Sequence, residues 1–381
     1  TLRKSGGAIE SHQDTYAALL VSIGSARNGV ARLRGFETAT EASYFDRSID
    51  PASVERTLRA VRASGAYGRY LGVAAKAPKP AFTPGRFAIP DALALILAAE
   101  RPMGTDYANA YAELFDPANR RLEICTAPEC DDTGFSVGFA GVESGVYFGN
   151  FDGETHSLRA VAHESGHAVH REFMARNQPI AAYNRGPSFM FESFAIFNEL
   201  LFLNYVYQRA ATDAQRAYYL NYFLDDATFQ VYGSAEETDL ESAIYRGIAE
   251  GTVKTAADFD ALNLKIFARY DPAAGTDPAT QLYWARNRLY YTDPLYDVNY
   301  LYAGLLALAY FKEFERAPQA FVPRYVALLK HGFDDSPAAL ERRFLGIDLS
   351  DEPALVESAA ATIDARTQTL AKLYSSPAEG R

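Results

Sequence analysis

The sequence predicts a mainly α-helical fold with one small antiparallel β-sheet. Apolar residues recur three and four positions apart over residues 53–77, 212–251 and 354–374, and this spacing is typical of amphipathic helices. Residues 120–151 differ, because short alternating apolar runs there are separated by glycine-rich turns, a pattern typical of strands. With 381 residues, 48% of them hydrophobic, the chain can bury a large core.

Charge and hydropathy exclude several classes of function. The net charge is −11, and an acidic surface argues against binding to nucleic acid or to an anionic membrane. The longest apolar runs, residues 92–99 and 304–311, are shorter than the roughly 20 residues that span a bilayer. The chain begins with Thr1 and not with Met. We therefore expect that an upstream segment was cleaved or left out, or is a second chain.

The two cysteines of the chain are Cys125 and Cys130, and they are close enough in sequence to bridge a short turn. Two readings stay open, namely free thiols in a cytoplasmic protein and a disulfide in a periplasmic or secreted one. A zinc site built on cysteines is disfavoured, because no second pair exists.

The predicted sheet immediately precedes a helix that carries His163, His167 and His170. Its two or three strands lie between residues 120 and 151, and the turn at Asp152 and Gly153 follows. Hydroxyl side chains at Thr155 and Ser157 predict the start of the helix there, as caps of its first turn.

This helix contains an H-E-x-x-H string within residues 160–173, AVAHESGHAVHREF. His163 and His167 are four residues apart, so their rings share one face about 5–6 Å apart, which suits two nitrogen ligands on one Zn²⁺. Glu164 lies about 100° around the helix and would reach a water molecule and not the ion. Gly166 has no side chain and allows another backbone or a substrate to approach closely.

A catalytic zinc needs a third protein ligand and an open position. Residues 186–205 form a largely apolar segment, where a carboxylate is costly unless it is paired or binds a metal. Glu192 is therefore the predicted third ligand, with a buried ion pair as the alternative. Glu199, two helical turns later on the same face, and His170 are predicted to orient the ligands.

At these residues the chain resembles the zinc oligopeptidase family of thimet oligopeptidase and oligoendopeptidase F. The family motif H-E-x-G-H-x-x-H stands at residues 163–170, and a loose match to E-x-x-S-x-x-x-E stands at residues 192–199. The segment N-[FY]-x-G is found at residues 150–153. Residues 293–311 and 324–351 resemble later parts of the oligoendopeptidase pattern, so the resemblance extends over nearly the whole chain.

The resemblance implies an elongated helical body with a deep channel that admits short peptides to one Zn²⁺ per chain. It divides the chain into an N-terminal helical region, residues 1–118, which is shorter than in the family. Residues 119–381 are then the catalytic zinc-peptidase region, with the small sheet and the C-terminal helices.

The resemblance also assigns catalytic roles. Glu164 is the expected general base, and Tyr300, with Tyr296 as second choice, is the expected hydroxyl donor to the oxyanion. A histidine that the family usually has before its tyrosine-rich segment is missing here, and Tyr290 or Tyr291 is the predicted replacement beside the substrate. The alternative for these tyrosines, apart from Tyr300, is an aromatic core face.

The strand at residues 134–140 is the expected substrate strand. Its edge would pair with the backbone of an extended peptide, which reads length and direction without reading side chains. The residues assigned to this contact are Gly134, Phe135, Ser136 and Val137.

The expected function is that of a zinc-dependent endopeptidase acting on short peptides, with Glu164 as the base that activates water. Two alternatives stay open. One is another H-E-x-x-H metallopeptidase, either an aminopeptidase or a carboxypeptidase. The other is a catalytically weak homologue that only binds peptides.

Overall fold

The computed structural model describes residue 9 and residues 11–78, 82–139 and 141–375, without the side chain of Ala279. Helices dominate these ranges and one small sheet is present, so the predicted mainly α-helical class is confirmed. The N-terminal helices are α1 (Gln13–Leu33), α2 (Ala39–Asp46), α3 (Pro51–Ser64), α4 (Ala66–Ala74), α5 (Ile89–Glu100) and α6 (Thr105–Phe115).

The strands β1 (Leu122–Ile124), β2 (Gly134–Phe139) and β3 (Val142–Phe148) follow. The remaining helices are α7 (Thr155–Asn177), α8 (Ser188–Arg209), α9 (Asp213–Thr228), α10 (Ser234–Glu250), α11 (Ala256–Phe267), α12 (Pro278–Gln281), α13 (Tyr283–Arg286), α14 (Leu289–Thr292), α15 (Asp297–Arg316), α16 (Pro318–His331), α17 (Pro337–Phe344) and α18 (Glu352–Ser375). Short 3₁₀ turns lie at Arg101–Met103, Pro117–Asn119, Ala181–Asn184 and Ala274–Thr276.

The chain forms two compact units. The first comprises Thr1–Gly68 and Phe229–Leu301, and the second comprises Arg69–Thr228 and Tyr302–Arg381. The chain crosses from one unit to the other after Gly68, Thr228 and Leu301, and not near residue 118. The division into residues 1–118 and 119–381 therefore stays a prediction. The elongated body and the deep channel stay predictions as well.

Two of the predicted helical segments are interrupted. Gly65 separates α3 from α4 with a φ of 66°, a left-handed conformation that glycine adopts without steric penalty. The π-helical turn Phe229–Gly233 separates α9 from α10. Apolar periodicity continues across both breaks, and periodicity alone therefore did not reveal them.

The start of α7 at Thr155 agrees with the sequence, but its predicted hydroxyl cap is wrong. Glu154 occupies the N-cap position without a capping side-chain bond. The Ser157 hydroxyl instead donates to Asp152 Oδ1 at 2.6 Å and accepts from the Asp152 N–H at 3.3 Å. These two bonds hold the preceding turn against the first turn of the helix.

The sheet has the strand order β1–β3–β2 and is mixed. β2 and β3 form an antiparallel hairpin, as predicted, but β1 pairs with β3 in parallel. After β1 the chain forms β2, which lies on the edge of β3 that faces away from β1, and then turns back into β3. β3 therefore runs in the same direction as β1. A hairpin signal is local to neighbouring strands, so it could not reveal the direction of β1.

The helix α8 is a core element of the second unit. Its mean hydropathy of 1.2 and its length of 22 residues are those of a helix that could cross a membrane, but 89% of that window is buried inside the protein. The sequence predicts no membrane span here, because polar residues interrupt the largely apolar segment at residues 186–205. Burial on all sides explains why α8 is apolar around its whole circumference.

The first unit contains an apolar cluster beside buried carboxylates. Trp284 stacks on Phe259 with ring centroids 4.7 Å apart, and Tyr290 belongs to the same cluster. Glu237 and Asp297 are also buried. The Tyr283 hydroxyl donates to Glu237, and the Asn287 amide donates to Asp297 at 3.2 Å.

Candidate active site

The close crossing of α7 and α8 at Gly166 positions the candidate site. A Cβ atom at Gly166 would lie 2.5 Å from Asn198 Nδ2 and 3.2 Å from Ala195 Cα, both on α8. The predicted close backbone approach is therefore observed. Asn198 is held beneath the crossing, because its Oδ1 accepts hydrogen bonds from the Tyr107 and Tyr111 hydroxyls at 2.8 and 2.9 Å.

The crossing brings His163 and His167 of α7 together with Glu192 of α8. The Nε2 atoms of the two histidines lie 3.4 and 3.5 Å from Glu192 Oε2, and one potential ligand atom from each residue lies within 4.8 Å of the others. Ligand atoms bound to one tetrahedral Zn²⁺ at about 2.0–2.1 Å are about 3.4 Å apart. The donor set and its spacing therefore fit one zinc ion.

Glu199 lies next to this cluster, on the side of the His163 ring that faces away from Glu192. Its carboxylate pairs with His163 Nδ1, the ring nitrogen opposite the Nε2 that faces Glu192, and it also pairs with Arg159. Arg159 in turn contacts Asp226 at 2.8 Å. A carboxylate on the second nitrogen of a histidine fixes the ring orientation and makes the free nitrogen a better ligand.

The charges of this network are strongly coupled. Burial opposes ionisation of Glu199, but Arg159 and His163 lower the pKa of its carboxyl to about 2. Burial and the nearby Glu199 raise the pKa of Asp226 to about 8. Burial disfavours a charged His163, but Glu199 and Glu192 raise the pKa of this histidine. A metal ion held by the cluster would compete with that proton, because a ligand imidazole must be neutral.

Arg159 and Asp226 are site residues that the sequence analysis missed. Arg159 lies four residues before His163 on α7, so helical periodicity places both on one face and could have indicated it. Asp226 follows from no local pattern, because it reaches the network from α9.

His170 lies in an aromatic pocket and not beside a ligand carboxylate. Its ring centroid is 4.4 Å from that of Phe194 and 5.0 Å from that of Phe191. Among the described residues its Nδ1 has no hydrogen-bond partner, and burial lowers its pKa. These contacts favour a packing role, and the predicted orienting role of His170 stays untested.

Glu164 is half-buried and lies next to the predicted substrate strand. A Cβ atom at Gly134, the first residue of β2, would lie 3.3 Å from Glu164 Cγ. Gly134, Phe135, Ser136 and Val137 all lie on β2, whereas Ala140, the last residue of the predicted strand, lies outside the described residues. The strand therefore begins beside the predicted base.

Buried ionic contacts hold the sheet on α7. The Glu172 carboxylate of α7 accepts from Arg121 at 2.8 Å, from the Ser144 N–H at 3.1 Å and from Arg176 at 2.6 Å. Arg121 also donates to the Ser144 carbonyl at 2.7 Å. The beginnings of β1 and β3, which lie at the same end of the sheet, are thereby tied to the helix that carries Glu164.

Tyr296 and Tyr300 belong to the first unit, whereas the histidine cluster belongs to the second. Both tyrosines are half-buried, and their rings meet edge to face with centroids 5.3 Å apart. Their predicted role as donors to the oxyanion stays a prediction.

Tyr290 and Tyr291 have other partners within the first unit. Tyr290 is buried, and its hydroxyl donates to the Glu237 carbonyl at 3.0 Å. The Tyr291 hydroxyl donates to the Trp284 carbonyl at 3.4 Å, and its ring meets that of Tyr16. These contacts favour the aromatic core alternative for Tyr290 in particular, and the predicted substrate role of both residues stays untested.

Cys125 and Cys130 form a disulfide with Cα atoms 6.3 Å apart. It closes the exposed loop between β1 and β2. Of the two states considered from the sequence, the structure therefore has the bonded one, and the compartment stays open.

The profile of peptidase family M3 matches residues 132–359, more than half of the chain. Oligopeptidase PepF from Bacillus subtilis is 22% identical over 382 residues, which cover 95% of this chain and 55% of that protein. An oligoendopeptidase F homolog from Lactococcus lactis is 28% identical over 158 residues, which cover 38% of this chain and 26% of that protein.

The fold is also similar to solved structures. Oligoendopeptidase-F from Enterococcus faecium superimposes with a TM-score of 0.66 at 20% identity, over 96% of this chain and 61% of that one. The chain thus matches 55% of the Bacillus subtilis protein and 61% of the Enterococcus faecium one, and so spans less than two thirds of either.

Proposed function

The chain belongs to peptidase family M3, and from this premise we propose that it is a zinc-dependent endopeptidase that hydrolyses short peptides. The observation that carries the proposal is the meeting of His163, His167 and Glu192 at the spacing of zinc ligands. The names of its relatives, oligopeptidase and oligoendopeptidase, support peptides as the substrates.

The three clustered residues would hold the ion, and Glu199 would orient His163 from behind. When bound, Zn²⁺ lowers the pKa of water to about 7 and polarises a peptide carbonyl. A chain that supplies three ligands leaves one position open, as catalytic zinc sites require.

Glu164 is the proposed general base. It follows the ligand His163 directly in sequence, points beside the start of β2 and is accessible to solvent. Its carboxylate takes the proton from the attacking water and passes it to the leaving amine of the peptide. Tyr300, and second Tyr296, are the proposed hydroxyl donors to the oxyanion.

β2 is the proposed substrate strand. It lies at one end of the strand order, so one of its edges pairs with β3 and the other is free of strands among the described residues. An extended peptide on that edge would gain main-chain hydrogen bonds and pass Glu164.

An internally quenched peptide with both ends blocked tests the proposal, because exopeptidases require a free end. We expect the zinc-loaded protein to cleave it, a chelator to abolish cleavage, and Glu164→Gln to reduce kcat by at least about 10²-fold. Glu129→Gln, in the exposed loop after β1, is the matched control. Cleavage only of unblocked peptides would instead favour an exopeptidase, and equal background rates in wild type and Glu164→Gln would favour a binding protein.

A further inference from the structure

The two faces of β2 differ in a regular way. Gly134, Ser136 and Gly138 alternate with Phe135, Val137 and Phe139, so the small residues share one face and the apolar residues share the other. The burial of β2 alternates with the same period. The strand therefore has a face of small residues and an outer face, which we define as Phe135, Val137 and Phe139.

The small residues lie against α7. A Cβ atom at Gly134 would lie 3.3 Å from Glu164 Cγ, and one at Gly138 would lie 3.1 Å from Arg171 Cδ, both on α7. Side chains of the neighbouring strand β3 come closer still, at 2.9 Å for Phe148 Cδ2 and 2.7 Å for Ser144 Oγ. A side chain at Gly134 or Gly138 would therefore collide with β3 side chains and press against α7. This close packing keeps β2 beside Glu164 and turns the outer face away from α7.

The outer face is exposed although it is apolar. Phe135 and Val137 are each 47% exposed and Phe139 is 72% exposed, and Val142 at the hairpin turn is 56% exposed. Phe135 stacks on Tyr147 of β3 with ring centroids 5.2 Å apart. An exposed apolar strand at a sheet edge favours aggregation, and contiguous apolar patches of this kind commonly mark binding sites.

We propose that the outer face of β2 selects peptides that carry apolar side chains at alternate positions. This inference rests on the proposed function, in which the peptide adds to the free edge of β2. Alternate side chains of the added strand then stand beside Phe135, Val137 and Phe139 at the distance of cross-strand pairs. The alternation is the same for a parallel and an antiparallel peptide, so the inference does not depend on the direction of binding.

The proposed occupant is a peptide substrate because of what lies at the beginning of β2. Glu164 stands beside Gly134 at the beginning of β2, so a chain paired along the strand leads directly to the predicted base. A strand that recognised only the peptide backbone would have no need of apolar side chains on its solvent side. The outer face therefore adds side-chain selection to the main-chain recognition expected from an edge strand.

The test uses end-blocked quenched peptides with one cleavage point and either Leu or Asn at two alternate positions. A second pair of peptides carries the same exchange shifted by one position. Each apolar cross-strand contact contributes about a 1.5- to 5-fold factor. We expect the wild type to have a higher kcat/KM for the Leu peptide in one of the two frames, by about 2- to 25-fold.

Val137→Thr should lower this Leu/Asn ratio by about 1.5- to 5-fold and leave the ratio in the other frame unchanged. Threonine is also β-branched and favours strands, and Val137→Ile, which stays apolar, should retain the wild-type ratio. Val30→Thr is the control, because Val30 is an exposed valine on α1, outside the sheet. Its ratios should equal those of the wild type.

The outcomes separate the inference from the proposed function. If the zinc-loaded wild type cleaves none of the peptides, the proposed function fails. If it cleaves Leu and Asn peptides equally in both frames, or if Val137→Thr keeps the wild-type ratio, the function stands and the selection by the outer face is refuted.

Discussion

At the scale of single residues, the candidate site includes groups that contact the predicted ligands and are not themselves predicted to bind the ion. Glu199 is buried and pairs with His163 Nδ1, and Arg159 keeps its carboxyl ionised. The negative charge of Glu199 therefore stands directly behind one predicted ligand. Gly166 acts in a different way, because its missing side chain allows α7 and α8 to cross closely enough for Glu192 to reach both histidines.

Glu199→Gln is expected to weaken zinc binding by about 10- to 100-fold, because glutamine keeps the size of the side chain and loses the charge that orients and polarises His163. Competition with a chromogenic chelator measures the affinity. Glu143→Gln, at an exposed position of β3, should bind zinc as the wild type does. An unchanged affinity in Glu199→Gln would contradict the orienting role.

Gly166→Ala is expected to lower the free energy of unfolding by about 1–3 kcal/mol, because the new methyl group overlaps Asn198 and the α8 backbone. Gly29→Ala is the matched control within α1. A Cβ atom at Gly29 would meet nothing within 4 Å, so alanine there should stabilise the protein by about 0.5–1 kcal/mol. Urea unfolding measures both, and changes of the same sign would refute the steric explanation.

At the scale of secondary-structure elements, the sheet is attached to α7 by charge as well as by packing. Arg121 precedes β1, Ser144 lies on β3, and both bind the same buried Glu172. One carboxylate thus ties the beginnings of two strands to the helix, and β2 is joined to the same helix through its pairing with β3.

Glu172→Ala is expected to destabilise the protein by about 3–5 kcal/mol, because it leaves the guanidinium of Arg121 buried without its partner. Thermal and urea unfolding measure the loss. Glu123→Ala, at an exposed position of β1, should change stability by less than about 0.5 kcal/mol. A small effect of Glu172→Ala would show that apolar packing alone holds the sheet.

At the scale of the whole molecule, several buried carboxyls make stability depend on pH. Burial, together with neighbouring carboxyls, raises the pKa of Asp297 to about 7 and those of Glu236 and Glu237 to about 8. In the unfolded chain these groups titrate near 4. The folded state therefore holds more protons between about pH 4 and pH 8, and the free energy of unfolding falls as the pH rises through this window.

Glu237→Gln is expected to remove part of the loss of stability at high pH, because glutamine keeps an acceptor for the Tyr283 hydroxyl and does not ionise. The variant should be more stable than the wild type at pH 8, and this advantage should shrink at pH 5. Urea midpoints at both values measure the difference, with the exposed Glu250→Gln as control. An advantage of equal size at both pH values would contradict the burial of an ionisable Glu237.

Much of the candidate site could be predicted because its signals are local. The i, i+4 histidines share a helix face whatever surrounds them. A carboxylate within the apolar segment of α8 is explained mainly by an ion pair or by metal binding. His170 matches the same helical spacing, but its surroundings are aromatic. Spacing could place this ring on the helix, and it could not specify what the ring would contact.

The remaining features depend on segments far apart in the chain. The parallel pairing of β1 with β3, the contact of Arg159 with Asp226 and the position of Gly134 beside Glu164 join residues that no local pattern relates. Apolar periodicity and residue spacing act within a few turns of the chain, and they were sufficient for the helical class and the predicted ligand set. Strand direction, buried charge partners and the exposure of the outer face arise from packing between distant elements. The energy of that packing is shared among many contacts, so no single segment of the sequence determines it.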